Sequence, residues 1–217
     1  MNSDDASGEA TQRPYVLLPS GNIIDLANPD PDSWTNSDLA LGLSRTYRWG
    51  GHSAWSRPLS VAQHSLAVLA IREQASPALA PGLALYELLH DAEEGLLGFD
   101  CIAPMKAFLG APFAELCSRL TAAINGRYAL PDITADEYRL HKTADRSAAA
   151  SEALNIVGWS MTQITNDLHL SEAPLALDPL ATLAAEGGFR PWEPWPSEYA
   201  AAQWLHRLQH ERARLDP

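Results

Sequence analysis

Residues able to do chemistry stand out at three places in this chain. The first is His90-Asp91, at the end of the apolar run Leu83-Ala-Leu-Tyr-Glu-Leu-Leu. With 7 histidines in 217 residues, chance alone gives about 0.45 His-Asp steps per chain, so the dipeptide by itself says little. Its surroundings say more, because an imidazole and a carboxylate are costly inside an apolar helix unless they are paired or coordinate something. His64 lies on a second helical stretch between Val61 and Val68, and Asp145 on a third, between Ala144 and Ala148–Ala150. A hydrogen-bonded core histidine or a capping aspartate accounts for any one of these residues. Together they offer two nitrogens and two oxygens from three helices, a ligand set suited to a borderline divalent ion.

The elements that must position these groups are mostly helical. Residues 14 to 26 read as two short extended pieces around Ser20-Gly21-Asn22, a small hairpin. Asn36 or Ser37 caps a short helix through Ser44. Ser60-Val-Ala-Gln63 fits a capping box and opens the helix of His64. Pro81-Gly82 starts a helix that carries His90-Asp91 and ends at Gly95 or Gly98. A third runs from Pro112 to Tyr128. Thr134-Ala-Asp-Glu137 is another capping box and begins a long helix ending near Val157. The Pro-Trp-Glu-Pro-Trp-Pro stretch at 191–196 is a stiff extended spacer that delivers Ser197 as N-cap of a last helix. That helix buries Ala201, Trp204, Leu205 and Leu208. The expected fold is mostly α, a single helical bundle over residues 14–217 with a small N-terminal β-hairpin. Residues 1–13 are expected to be a disordered tail.

Composition narrows the partners. Fifteen basic against 27 acidic residues give a net charge of -12. That disfavours a nucleic-acid polymer or an anionic membrane, both of which select positive faces. A small anionic ligand remains compatible, since a metal or a few cations reverse the field locally. No 18-residue apolar run exists, and the acidic N-terminus is unlike a signal peptide, so the cytoplasm is the expected address. Cys101 and Cys117 form no metal-spaced pair.

Ser60-Val-Ala-Gln-His64-Ser, then His90-Asp91-Ala-Glu-Glu94, then Ala144-Asp145 resembles the HD-domain metal-dependent phosphohydrolase superfamily. Within it the chain is similar to compact bacterial and phage members related to 5'-deoxynucleotidases and small deoxynucleoside triphosphohydrolases. Arg48-Trp49-Gly-Gly-His52, Ile102-Ala-Pro104-Met-Lys106 and the Pro-Trp segment add to the resemblance, which covers residues 15 to 210. It implies an HD-domain bundle with one divalent ion (Co, Mn, Zn, Ni, Fe or Mg) on His64, His90, Asp91 and Asp145, with room for a water and a phosphate oxygen. It implies that Glu94 assists proton transfer, while Glu93, on a regular helix, points elsewhere into solvent. The usual Gly-Asp after this helix reads Gly98-Phe99-Asp100; Asp100 as general acid then requires the loop to rearrange around Phe99, and a turn-capping role is the alternative. Arg48 and Trp49 resemble a substrate-contacting pair, a guanidinium for phosphate and an indole for base or sugar. His52 and Lys106 are candidate phosphate contacts.

The implied reaction is hydrolysis of a nucleotide, releasing phosphate from a 5'-monophosphate or triphosphate from a triphosphate. Arg45, Arg48, Arg57 and Lys106 could serve the extra phosphates of the latter. Relatives are often dimers or larger, so a homo-oligomer is expected too. A di-iron HD oxygenase needs further histidines between His90 and Asp145, where only His141 stands. A non-catalytic nucleotide-binding HD protein would show loss of a ligand or of Glu94, and neither is lost. His141, one turn before Asp145, is expected to be solvated or locally paired, and His206 and His210 to be surface residues.

Overall fold

The computed structural model describes residues 13–215, so all but Arg13 of the expected tail lies outside the described residues. Among these, a two-stranded hairpin precedes nine α-helices, a mostly α bundle as expected. Strand β1 (Tyr15–Leu17) pairs antiparallel with β2 (Ile23–Asp25). The helices are α1 (Asn36–Arg45), α2 (Val61–Ala75), α3 (Pro81–Leu89), α4 (Ala92–Leu97) and α5 (Ala103–Tyr128). They continue with α6 (Ala135–Glu152), α7 (Met161–Asn166), α8 (Ala181–Glu186) and α9 (Ser197–Leu215). None is long and apolar enough to cross a membrane.

Several boundaries differ from the expectation for identifiable reasons. Thr35, rather than Asn36 or Ser37, caps α1. Its hydroxyl accepts from the Asp38 amide while the Asp38 carboxylate accepts from the Thr35 amide. Asp38 also accepts from the Ser20 amide, which ties the hairpin turn to the bundle. Ser60 caps α2, but only half of the expected box forms. The Gln63 amide instead donates to Glu193 O and accepts from the Trp195 amide. The 191–196 segment is therefore bound along its length rather than free-standing. It turns through Trp192 (φ 65) and buries Trp195, and α9 begins on Ser197 itself. Helix α5 starts at Ala103, nine residues before Pro112, and bends where Gly110 takes φ 70 and ψ -157. Helix α6 stops at Glu152 and runs on as a π-turn, Ala153–Val157, which accounts for the expected end near Val157.

Helix α2 is the centre of the bundle. Residues 61–69 are all buried, and α1, α3, α6 and α9 pack around it. Helix α6 approaches α2 across small residues, Ala144 and Ala148 against Val68. A buried ion network fastens three helices at one level. Arg72 Nε donates to Glu87 Oε1 at 2.7 Å and Arg72 NH2 to Glu137 at 2.5 Å, while His141 Nδ1 meets Glu87 Oε2 at 2.7 Å. Arg72 and Glu87 are both 2% exposed, so each charge depends on the other to offset its desolvation. Helix α1 meets α4 at Gly42 and Gly95. A Cβ on Gly42 would stand 2.2 Å from Gly95 O, so the crossing admits only glycine.

Candidate metal centre

The single helix expected across His90-Asp91 is two helices. Helix α3 ends at Leu89, His90 is its C-cap, and Asp91 (φ -114, ψ 24) is the N-cap of α4. The break makes His90 Nδ1–H a donor to the Glu87 carbonyl at 2.7 Å. A carbonyl can only accept, so in the neutral ring it is Nε2 that carries the lone pair. On α2, His64 is oriented in the same way: Nδ1 donates to the Glu152 carboxylate at 2.5 Å. A partner on one ring nitrogen of a histidine fixes which nitrogen can ligate.

Both Nε2 atoms are sealed from solvent and make no hydrogen bond. They face two carboxylates. His64 Nε2 lies 3.4 Å from Asp145 Oδ1 and 3.7 Å from Asp91 Oδ2, and His90 Nε2 lies 3.1 Å from Asp91 Oδ2. Single donor atoms of His64, His90 and Asp145 fall within 4.8 Å of one another. Two unpartnered imidazole nitrogens and the Asp145 carboxylate, with Asp91 Oδ2 3.1 Å from the His90 nitrogen, fit a divalent cation, and these four residues could hold one. Protons compete for the same place. Burial and the Arg48 charge oppose protonation of His64, yet Glu152 and Asp145 outweigh them and push it up to about 9. Burial likewise opposes the ionised forms of Asp91 and Asp145, but the two imidazoles hold both carboxyls well below the usual range.

The structure brings His64, His90 and Asp145 into one group and sets Asp91, which faces both imidazoles, in a second and acidic one. Asp91, Glu93 and Glu94 each place an oxygen within 4.8 Å of the others. Glu93 is buried rather than solvated, because the break at Asp91 resets the helical register and turns it inward. Burial and Asp91 push its carboxyl up to about 7. Glu94 is 3% exposed, and burial, Asp91 and Asp100 push it up to about 8. Lys106 Nζ donates to its Oε1 at 3.2 Å, while Oε2 is buried without a partner. Asp100 is half-buried after Gly98, whose φ of 81 ends α4, and its charge acts on Glu94 and Arg48. Phe99 sits partly exposed against Phe113 and leaves Asp100 beside the cluster.

The four expected substrate contacts fare unequally. Arg48 is committed to the protein: Nε donates to Glu152 Oε2 at 3.0 Å and NH1 lies 3.6 Å from Asp91 Oδ2. Trp49 Nε1 also donates to Glu152 Oε2, at 3.1 Å, and its ring packs against the buried cluster of Ala150, Ala153 and Ile164. Lys106 stands at the site with its side chain 42% exposed. His52 is exposed, and no hydrogen bond or ion pair among the described residues joins it to the cluster. His206 and His210 are exposed, as expected. His141 is locally paired but buried, held by Glu87 with its ring centroid 5.0 Å from that of His90.

Three participants were not anticipated. Glu152, 3% exposed, gathers His64, Arg48 and Trp49 on one carboxylate. Its signal was its place, two turns after Asp145 in a run of Ala and Ser, where a carboxylate would face the same side. Glu87 supports both His90, through its carbonyl, and His141. Lys142 Nζ pairs with Asp145 from one turn away.

No protein-family model matches the sequence. An uncharacterized protein of Rhodobacter capsulatus is 39% identical over 150 residues, which span 69% of this chain and 76% of the relative. The chain belongs to that protein's family. That relationship carries no activity with it, so function rests on the geometry of the centre.

Proposed function

We propose that this protein is a metal-dependent phosphohydrolase acting on nucleotides. The observation that carries the reading is the convergence of the sealed, unpartnered His64 and His90 Nε2 atoms with Asp91 and Asp145. A divalent ion there supplies Lewis-acid polarisation of a phosphoryl oxygen and a water of lowered pKa. Glu94, pushed up to about 8, is suited to hold and release a proton near neutral pH beside that point. Lys106 fixes one Glu94 oxygen and can turn its exposed ammonium to a phosphate. Asp100, whose charge acts on Glu94, is the residue we assign to the leaving oxygen.

The local cations favour a monophosphate over a triphosphate. Arg48 is engaged by Glu152 and Asp91, Arg57 donates to Pro194 O and Glu193, and Arg45 is exposed. Lys106 and Lys142, each paired with one carboxylate of the site but with side chains 42% exposed, are then the near cations, enough for one phosphoryl group. The test is a product assay with Co2+ or Mn2+ and each common nucleoside and deoxynucleoside mono- and triphosphate, resolved by chromatography. Nucleoside plus phosphate is the expected result. Nucleoside plus triphosphate would move the reading to a triphosphohydrolase, and no turnover with metal bound would overturn it.

A further inference from the structure

Glu152 makes two kinds of contact with two different oxygens. Oε1 accepts from His64 Nδ1, while Oε2 accepts from both Arg48 Nε and Trp49 Nε1. The segment on Oε2 is conformationally expensive. Trp49, Gly50 and Gly51 take φ of 58, 61 and 78 in succession, and a bulky non-glycine residue in that region persists only where its surroundings hold it. Beyond Glu152, the π-turn secures the rest of the segment. Ala54 N donates to Ile156 O at 2.7 Å and Trp55 Nε1 to Asn155 O at 3.0 Å. Upstream, Arg48 N donates to Leu59 O and Val61 N to Thr46 O, next to the first turn of α2. The side chains of Arg48 and Trp49 share the carboxylate that also aims His64; Arg48 NH1 lies in addition 3.6 Å from Asp91 Oδ2, and the Trp49 ring packs against Ala150, Ala153 and Ile164.

We propose that Glu152 is a positioning residue that couples metal occupancy at His64 to the order of the Arg48–Trp49 segment. The inference rests on His64 being a metal ligand. A cation on His64 Nε2 fixes the ring, and the ring fixes the carboxylate through Nδ1–H. The fixed carboxylate then presents Oε2 to the guanidinium and the indole. Linkage makes the effect reciprocal: donors that hold Oε2 in place raise the affinity of the centre by the same factor by which metal orders the segment. The segment is thereby set before substrate arrives.

The experiment uses the full-length protein, chelated and then titrated with Zn2+ in the absence of nucleotide. Zn2+ affinity is read by competition with a chromophoric chelator, and the indole N–H resonances by NMR on labelled tryptophan, Trp49 being assigned from Trp49→Phe. Glu152→Gln is expected to weaken Zn2+ binding about 10- to 100-fold. Trp49→Phe is expected to weaken it about three- to tenfold in the native background and by no more than about twofold in Glu152→Gln, a non-additive cycle. The Trp49 N–H resonance should move on Zn2+ addition in the native protein and stay still in Glu152→Gln, while that of Trp55, bonded to Asn155, stays still in both. Zn2+ binding with full affinity in Trp49→Phe and an unmoved Trp49 resonance would overturn the coupling while leaving the centre intact. Failure of the native protein to bind Zn2+ would overturn the centre and the coupling together. Trp49→Phe loses one N–H donor and keeps a large ring, so the test survives if Glu152→Gln does not fold.

Discussion

His64 and His90 are braced from behind, whereas Glu93 and Glu94 are not. Each imidazole has its Nδ1 fixed, by the Glu152 carboxylate or the Glu87 carbonyl, and both bracing residues are themselves buried. Glu87 is itself held by Arg72, so the histidine side forms a lattice of reciprocal partners. The acidic side lies on α4, a helix of six residues, and touches one flexible cation, Lys106. Two sides of one site thus follow different rules. Ligands must be rigid to select a cation, and proton carriers must be underpaired to titrate near neutrality. The braced side invests in geometry and the acidic side in unsatisfied charge.

Breaking the braced side should have the largest effect. Asp145→Ala or His90→Ala is expected to lower bound metal from about one ion per chain to less than about a tenth, with activity lost in parallel. Elemental analysis after gentle purification checks this. Next comes Glu94→Gln, which should keep the metal and lower kcat by about two to four decades in the product assay. An unchanged kcat would remove Glu94 from proton transfer.

A smaller effect separates position from chemistry. Gly42→Ala would drive a Cβ against Gly95 O, and α4 must shift. We expect a loss of about 1–3 kcal/mol by denaturant unfolding, with metal stoichiometry kept by His64, His90 and Asp145 on the unmoved side and affinity lowered through Asp91, the N-cap of α4. Loss of metal in this variant would mean that the two sides are one rigid unit.

The smallest effect is a pH dependence of stability in the metal-free protein. The ordinary value of the Glu94 carboxyl is 4.5, and burial, Asp91 and Asp100 push it up to about 8. Between these values the folded state binds more protons than the unfolded one, so stability falls as pH rises. The stabilising contribution is complete below 4.5 and is lost as pH passes about 8. Glu94→Gln cannot lose that proton, so its Tm relative to the native protein should rise by a few degrees between about pH 5 and pH 8. A constant difference across that range would contradict the assignment.

The residues that could hold a metal were readable in sequence because an imidazole and a carboxylate inside apolar helical spacing carry a desolvation cost that demands a reason. That cost, met on three helical stretches at once, singled out His64, His90, Asp91 and Asp145 as candidates, and the capping and turn residues located most helices. The α3–α4 break was not readable, because the apolar spacing runs on through Leu88, Leu89 and Ala92 while the backbone turns at Asp91. Glu93 was misplaced for that reason: one reset of register moves a side chain from solvent to interior. Glu152 was hidden for another. It is 88 residues from His64 and 104 from Arg48, and no local pattern records a hydrogen bond over such a distance. Sequence by itself determined which residues are too costly to bury without a partner, since desolvation depends on residue type and local spacing. Only the tertiary structure decided who the partners are, because hydrogen bonds need atoms within about 3 Å, and only packing α6 onto α2 brings them there.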